Sequence, residues 1–250
     1  MLKVNNISKS FGGLKAIKNL SFSIEKNKIN SIIGPNGAGK TTVFNILTGV
    51  LKSDNGEMFF ESKNITKSKP HKIASFGITR TFQNLQIFSN MTVLENVITG
   101  MHLKTKTNIV HAMFGLNKKE EKRLKEKSLE ILEILDLKKY AEIKSTILPF
   151  GILRQVEIAR ALGANPKLIL MDEPAAGLNP IETEELGEKI KRIVKTGVTI
   201  LLIEHDMNLV MNISDRITVL NFGEKIAEGT PKEVQKNPLV LKAYLGEEEC

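Results

Sequence analysis

The run Gly34-Pro35-Asn36-Gly37-Ala38-Gly39-Lys40-Thr41-Thr42 is the part of this sequence with the most evident chemistry. It fits G-x-x-x-x-G-K-[ST] at every fixed position. It follows the apolar run Ile29–Ile33 and precedes a stretch, 41–50, that reads as a helix closed by Gly49. Glycines let the backbone turn so that successive N–H groups converge on phosphate oxygens. The start of a helix adds positive potential. Lys40 would bring a point charge to the β- and γ-phosphates, and Thr41 a hydroxyl to Mg2+. The implied ligand is a nucleoside triphosphate with its metal. Many unrelated machines share this pattern, so it does not choose among them.

A second group supplies what hydrolysis needs. Leu168–Met171 is an apolar run that ends in Asp172-Glu173. An acid at the carboxyl end of a buried strand sits where open α/β sheets bind ligands. Asp172 would hold Mg2+, through a water, and Glu173 would polarise the attacking water. The run Val198–Ile203 leads in the same way to Glu204-His205, which places His205 at the strand-end rim, within reach of a γ-phosphate. Adjacent acids in these roles point to an ATPase rather than to a passive phosphate binder.

The elements that must position these groups follow from periodicity. Residues 2–8, 20–26 and 56–62 alternate like strands. Leu168–Met171 and 198–203 lack polar alternation, as parallel strands buried on both faces do. From about 92 to 140 the pattern is helical, with a weakly patterned stretch at 101–117 that reads as an insertion. A further helix is expected over 151–163, and a hairpin turning at Gly223 over 216–229. The expected architecture is α/β, with a mixed β core, an antiparallel β subdomain and an inserted α-helical subdomain. Its divisions are residues 1–85, 86–159 and 160–250.

Composition limits the alternatives. With 250 residues the chain can bury a substantial core. No apolar run approaches the ~18 residues of a membrane span, and the N-terminus lacks the apolar core of a signal peptide. The single cysteine, Cys250, forms no intrachain disulfide. A net charge of +8 admits nucleic acid or an anionic membrane as partners. Yet the lysines are scattered among glutamates, as in KKEEKRLKEK at 118–127, which reads as a solvated helix face. Aromatics are 5% with no Trp, which argues against a base-stacking platform. No nucleic-acid partner is expected.

In this order the pieces resemble the ATP-binding cassette of ABC transporters, a P-loop NTPase fold, across essentially the whole chain. GPNGAGKTT corresponds to the Walker A loop, LILMDE to Walker B, AAGLN at 175–179 to the D-loop and His205 to the switch histidine. The resemblance implies that Gln83 is the Q-loop glutamine that senses Mg2+ and contacts the membrane subunit, and that Phe11 stacks on adenine. TFQNLQIFSNMTVLENV, MDEPAAGLNP, LIEHDMNLVMNISDRI and NPLVLKAYLGE resemble one subgroup, the ATP-binding subunits of branched-chain amino-acid importers. A similar single-cassette ATPase of lipopolysaccharide export is the alternative. A soluble cassette acting on DNA or ribosomes and a regulatory module without turnover fit less well, because there is one P-loop, no sustained heptads, and Glu173 and His205 are intact.

The family signature begins Leu-Ser-Gly-Gly-Gln, whereas this chain reads Leu148-Pro149-Phe150-Gly151-Ile152. Pro149 has neither hydroxyl nor N–H, though it suits the first turn of a helix. Gly151 would present its N–H to the nucleotide of a second cassette, in trans. Ile152 puts a ribose-side contact in doubt. The resemblance further implies a second ABC ATPase subunit, of the same or a homologous chain, and transmembrane permease subunits. It also implies a substrate-binding protein met only indirectly, and a peripheral position on the cytoplasmic face of the inner membrane.

Overall fold

Three strands are buried at every position: β3 (Ile29–Ile33), β7 (Leu168–Asp172) and β8 (Thr199–Ile203). In a strand, successive side chains point to opposite faces. Leu168 and Leu170 therefore enter one apolar cluster and Ile169 and Met171 another, while Leu201 and Ile203 part from Ile200 and Leu202 in the same way. Such strands must be covered on both sides, and in this chain they are. The computed structural model describes residues 1–81, 84–101 and 118–245.

These strands form the middle of a six-stranded sheet of order β10-β9-β3-β8-β7-β6, completed by β6 (Ile78–Arg80), β9 (Arg216–Asn221) and β10 (Glu224–Gly229). All its pairings are parallel except β9 with β10. That hairpin turns through Phe222 (φ 44°) and Gly223 (φ 80°), the paired positive φ that suits strand twist. A four-stranded antiparallel sheet of order β2-β1-β4-β5 is built from β1 (Leu2–Phe11), β2 (Leu14–Ile24), β4 (Asn55–Phe60) and β5 (Lys63–Asn64).

Helix α1 (Lys40–Leu47) lies between the sheets, with Val43, Phe44 and Leu47 buried beside Leu20, Phe22 and Phe60. A short α2 (Pro70–Ser75) precedes β6. The other face of the core sheet takes α3 (Val93–Gly100), α4 (Lys118–Ile134), α5 (Phe150–Gly163) and α6 (Pro180–Lys195). Capping boxes start α3 at Thr92 and Glu95, and α6 at Asn179 and Glu182. The run 119–127 is a solvated face of α4, with Leu124 turned inward. The chain ends through α7 (Met207–Ile213), α8 (Pro231–Gln235) and α9 (Pro238–Leu245).

The expected elements recur with shifted ends. Helix α1 stops at Leu47, and Gly49 (φ 72°) makes the turn after it. The helical stretch from 92 to 140 is broken into α3, α4 and a 3-10 turn at Lys138–Tyr140, and the expected insertion at 101–117 lies, beyond Met101, outside the described residues. Pro149 is the cap residue in front of α5, not a member of its first turn, because its ψ of 154° is still extended.

Candidate nucleotide site

The phosphate loop joins β3 to α1 and is held from behind. A Cβ on Gly34 would come within 2.1 Å of the Leu220 carbonyl oxygen, and one on Gly39 within 2.8 Å of that of Ala16. Both residues also have positive φ, so glycine is required twice over. Nothing lies within 4 Å of a Cβ built on Gly37, on the loop's open side. A backbone bond pins the loop to the β9–β10 turn, with Gly223 N–H donating to Ala38 O at 3.1 Å. Lys40 is buried, and its ammonium donates to the carbonyls of Gly34 (2.7 Å) and Pro35 (3.0 Å). Burial lowers its pKa below the ordinary lysine range, and the nearby charges of Glu173 and Asp172 act the other way. Incoming phosphates would add to that second effect. Thr41 is exposed at the mouth of the loop.

Asp172 ends β7, buried, and its Oδ2 accepts from Arg80 Nη2 at 2.6 Å. Glu173 follows in the left-handed region, φ 47°, with its N–H donating to Ile203 O at 2.9 Å. Beyond β8 the His205 ring places Nδ1 3.7 Å from Glu173 Oε2 and 3.8 Å from Glu204 Oε2. Both separations are too long for a hydrogen bond. They are close enough for a charge contact once the ring is protonated.

Glu204 does work that sequence reasoning missed. It is fully buried and accepts N–H donors from Ala175 (2.8 Å), His205 (3.0 Å) and Asp206 (3.4 Å). Burial raises its pKa, and those three donors act the other way. One carboxylate thus ties the turn after Glu173 to the turn that carries His205.

A phosphate loop, an acidic strand end and a histidine just past the neighbouring strand form the rim of one sheet. A family model described as ABC transporter matches residues 17–176. The chain belongs to the ABC transporter family, as its ATP-hydrolysing cassette. A second model, described as branched-chain amino acid ATP-binding cassette transporter, matches residues 224–250. The cassette is 42% identical, over 99% of its own chain and 98% of the relative's, to the high-affinity branched-chain amino acid transport ATP-binding protein BraF of Pseudomonas aeruginosa. Among solved structures, the ADP conformation of an ATP-binding cassette of an ABC transporter matches with TM-score 0.86 at 39% identity, covering 99% of each chain. A dimeric post-hydrolysis cassette bound to ADP and Pi matches with TM-score 0.76 at 28% identity, covering 92% of this chain and 99% of that one.

The remaining expected site residues of the cassette lie in three places. Phe11 is exposed at the end of β1, on the hairpin whose Ala16 and Ile17 back the phosphate loop. Its ring is open to a base, with Lys9 Nζ 5.7 Å from the centroid. Phe11→Ala should weaken ATP affinity about tenfold, the usual worth of one stacked base. Equilibrium titration with ATP and GTP checks this, and equal affinity for variant and parent would remove Phe11 from the site. Gln83 lies outside the described residues. The expected signature residues, Pro149 to Ile152, start α5.

At that loop, Phe150 replaces the small residue of the family pattern, and its Cε1 would stand 3.1 Å from a Cβ on Gly177 (φ 81°). The aromatic thus rests on the backbone of the turn at 175–179, the expected D-loop. Gly151 is buried at the start of the helix, and a Cβ there would meet Glu182 Oε1 at 3.0 Å. Arg154 crosses the Phe150 ring, 5.5 Å from its centroid.

Proposed function

We propose that this cassette powers the uptake of branched-chain amino acids across the cytoplasmic membrane, working from its cytoplasmic face with permease subunits and a second cassette. The observation that carries the reading is the whole-chain likeness to BraF, reinforced by the match of residues 224–250. The alternative of lipopolysaccharide-type export is not favoured, because those likenesses fall on amino-acid transport proteins. Among the described residues no helix is long and apolar enough to cross a membrane, so the transport path would belong to other chains.

In this reading ATP lies with its base on Phe11 and its phosphates along Gly34–Thr42. Lys40 leaves the loop carbonyls for the β- and γ-phosphates. Glu173 accepts the proton of a water that attacks the γ-phosphorus as the bond to ADP breaks. His205 holds the γ-phosphate from the opposite rim. Gly151 and its neighbours would serve the nucleotide of the partner cassette. The likeness to a dimeric cassette supports that pairing.

The donors present fit Mg2+. An exposed hydroxyl on Thr41 and a carboxylate on Asp172 are oxygen ligands for a hard cation, and Gln83 would add a third. Among the described residues no group of three His, Cys, Asp or Glu is placed to hold a metal alone, so most of its shell would be phosphate and water. When bound, the ion neutralises charge on the phosphate oxygens.

A groove of about 690 Å3 beside α2 and α5 is lined by Val50, Ile73, Phe88 and Met91. Val50 and Phe88 are exposed, and the groove's apolar walls suit a short amphipathic helix of a permease. Purification of the tagged protein from its native membranes tests the assignment. Recovery of two many-span permease chains with a second short cassette is expected. Recovery of ribosomes, DNA-associated factors or no membrane protein would sink the transport reading.

A further inference from the structure

The geometry points to Arg80 as a positioning residue for the metal site, a strut that keeps Thr41 and Asp172 in register. The inference rests on the reading that those two residues hold Mg2+. Arg80 ends β6, the edge strand, and its backbone pairs with Leu170, so its side chain runs up the sheet to the end of β7. There the guanidinium forks. Nη2 donates to Asp172 Oδ2 at 2.6 Å, and Nη1 donates to Asn45 Oδ1 at 2.6 Å. The group also lies over Phe44, 5.6 Å from the ring centroid. Both members of the ion pair are nearly buried, at 10% and 5% exposure.

The placement of those partners matters. Asn45 lies one helical turn from Thr41 on α1, so the two share a face. Asp172 ends β7, whose Leu168 and Leu170 share an apolar cluster with Val43 and Phe44 of α1, and a polar link would set the oxygens of the two elements for one ion more finely than that packing does. Arg80 is that link, and a planar fork fits two acceptors at fixed angles where a lysine cannot. The residue also begins the segment that leads to Gln83. Groups that orient a metal ligand are commonly worth a tenfold to hundredfold change in metal affinity.

A buried arginine also has a purely structural use, as counter-charge to Asp172. That role predicts lost stability but no selective loss of metal binding. A guanidinium on the carboxylate also repels a metal ion, and if that effect won, its removal would tighten binding.

The test uses the full chain with Arg80→Lys and Arg80→Met. ATP affinity is measured in EDTA, and Mn2+ affinity is read by electron paramagnetic resonance with a non-hydrolysable ATP analogue present. Affinity in EDTA should stay within about twofold of the parent. Mn2+ affinity should fall about tenfold or more in Arg80→Met and less in Arg80→Lys. In hydrolysis assays the KM for Mg2+ should rise by more than kcat falls. Should neither variant fold, Asn45→Ala cuts one arm of the fork and should weaken Mn2+ binding while sparing ATP in EDTA. Unchanged or tighter Mn2+ binding, or an equal loss of ATP affinity in EDTA, would overturn the inference. If the parent itself shows no nucleotide-dependent Mn2+ binding, the reading of Thr41 and Asp172 falls first.

Discussion

Glu173→Gln will bind ATP like the parent and turn it over about 10²–10⁴-fold more slowly, the usual worth of a positioned base. The amide keeps the size and hydrogen-bonding reach of the carboxylate but takes no proton from water. The change leaves the hydrogen bonds of the phosphate loop in place, since Lys40 donates to the carbonyls of Gly34 and Pro35 and meets Glu173 only as a nearby charge. Phosphate release and ATP binding, measured separately, check the split. With hydrolysis blocked, ATP should also hold two cassettes together, which size-exclusion chromatography reads. A variant that binds ATP and stays monomeric would mean that Pro149 and Ile152 weaken self-pairing or that the partner is a different chain. A variant that hydrolyses at the parental rate would remove Glu173 from the mechanism.

The second large effect is one of stability. Glu204→Leu keeps bulk in a fully buried place but strips the acceptor from three backbone donors, on Ala175, His205 and Asp206. Orphaned buried donors cost about 1–3 kcal/mol each, less where water reaches them, so the expected loss is about 3–5 kcal/mol. For a chain of this size the melting temperature should drop by about 10 °C. Turnover should fall as well, because the turn after Glu173 and the turn that carries His205 lose their common anchor. A thermal scan decides it, and a melting temperature within about 2 °C of the parent would show that water or relaxation replaces the carboxylate.

The phosphate loop was legible because phosphate chemistry dictates residue types at fixed spacing along one short segment. Asp172 and Glu173 were legible because an apolar run of strand length announces its own end. Arg80 was not, because its link to Asp172 depends on the parallel register of β6 and β7, in which Ile78 pairs with Leu168 and Arg80 with Leu170. Sequence period says nothing about which strand lies beside which. Glu204 was read as a strand end, since a carboxylate that serves three backbone N–H groups looks like any other in one dimension. Phe150 was seen as a departure from the family pattern. Its seat on Gly177 is a tertiary contact between two loops and leaves no local trace. The antiparallel sheet showed itself through alternation, but the start of β2 at Leu14 did not, because its first residues are solvated on both faces.

Glu173 sits at φ 47°, a conformation that favours glycine and asparagine and that costs other residues about 1–2 kcal/mol. Glycine and asparagine lack an ionisable oxygen, and the carboxylate of aspartate, which also tolerates this region, reaches one methylene less far, so a glutamate here bears the strain. At this position thermal robustness and turnover therefore pull in opposite directions. Selection for a sturdier fold alone would favour a less strained residue here, and the role proposed for Glu173 in hydrolysis is what would keep the longer carboxylate in place.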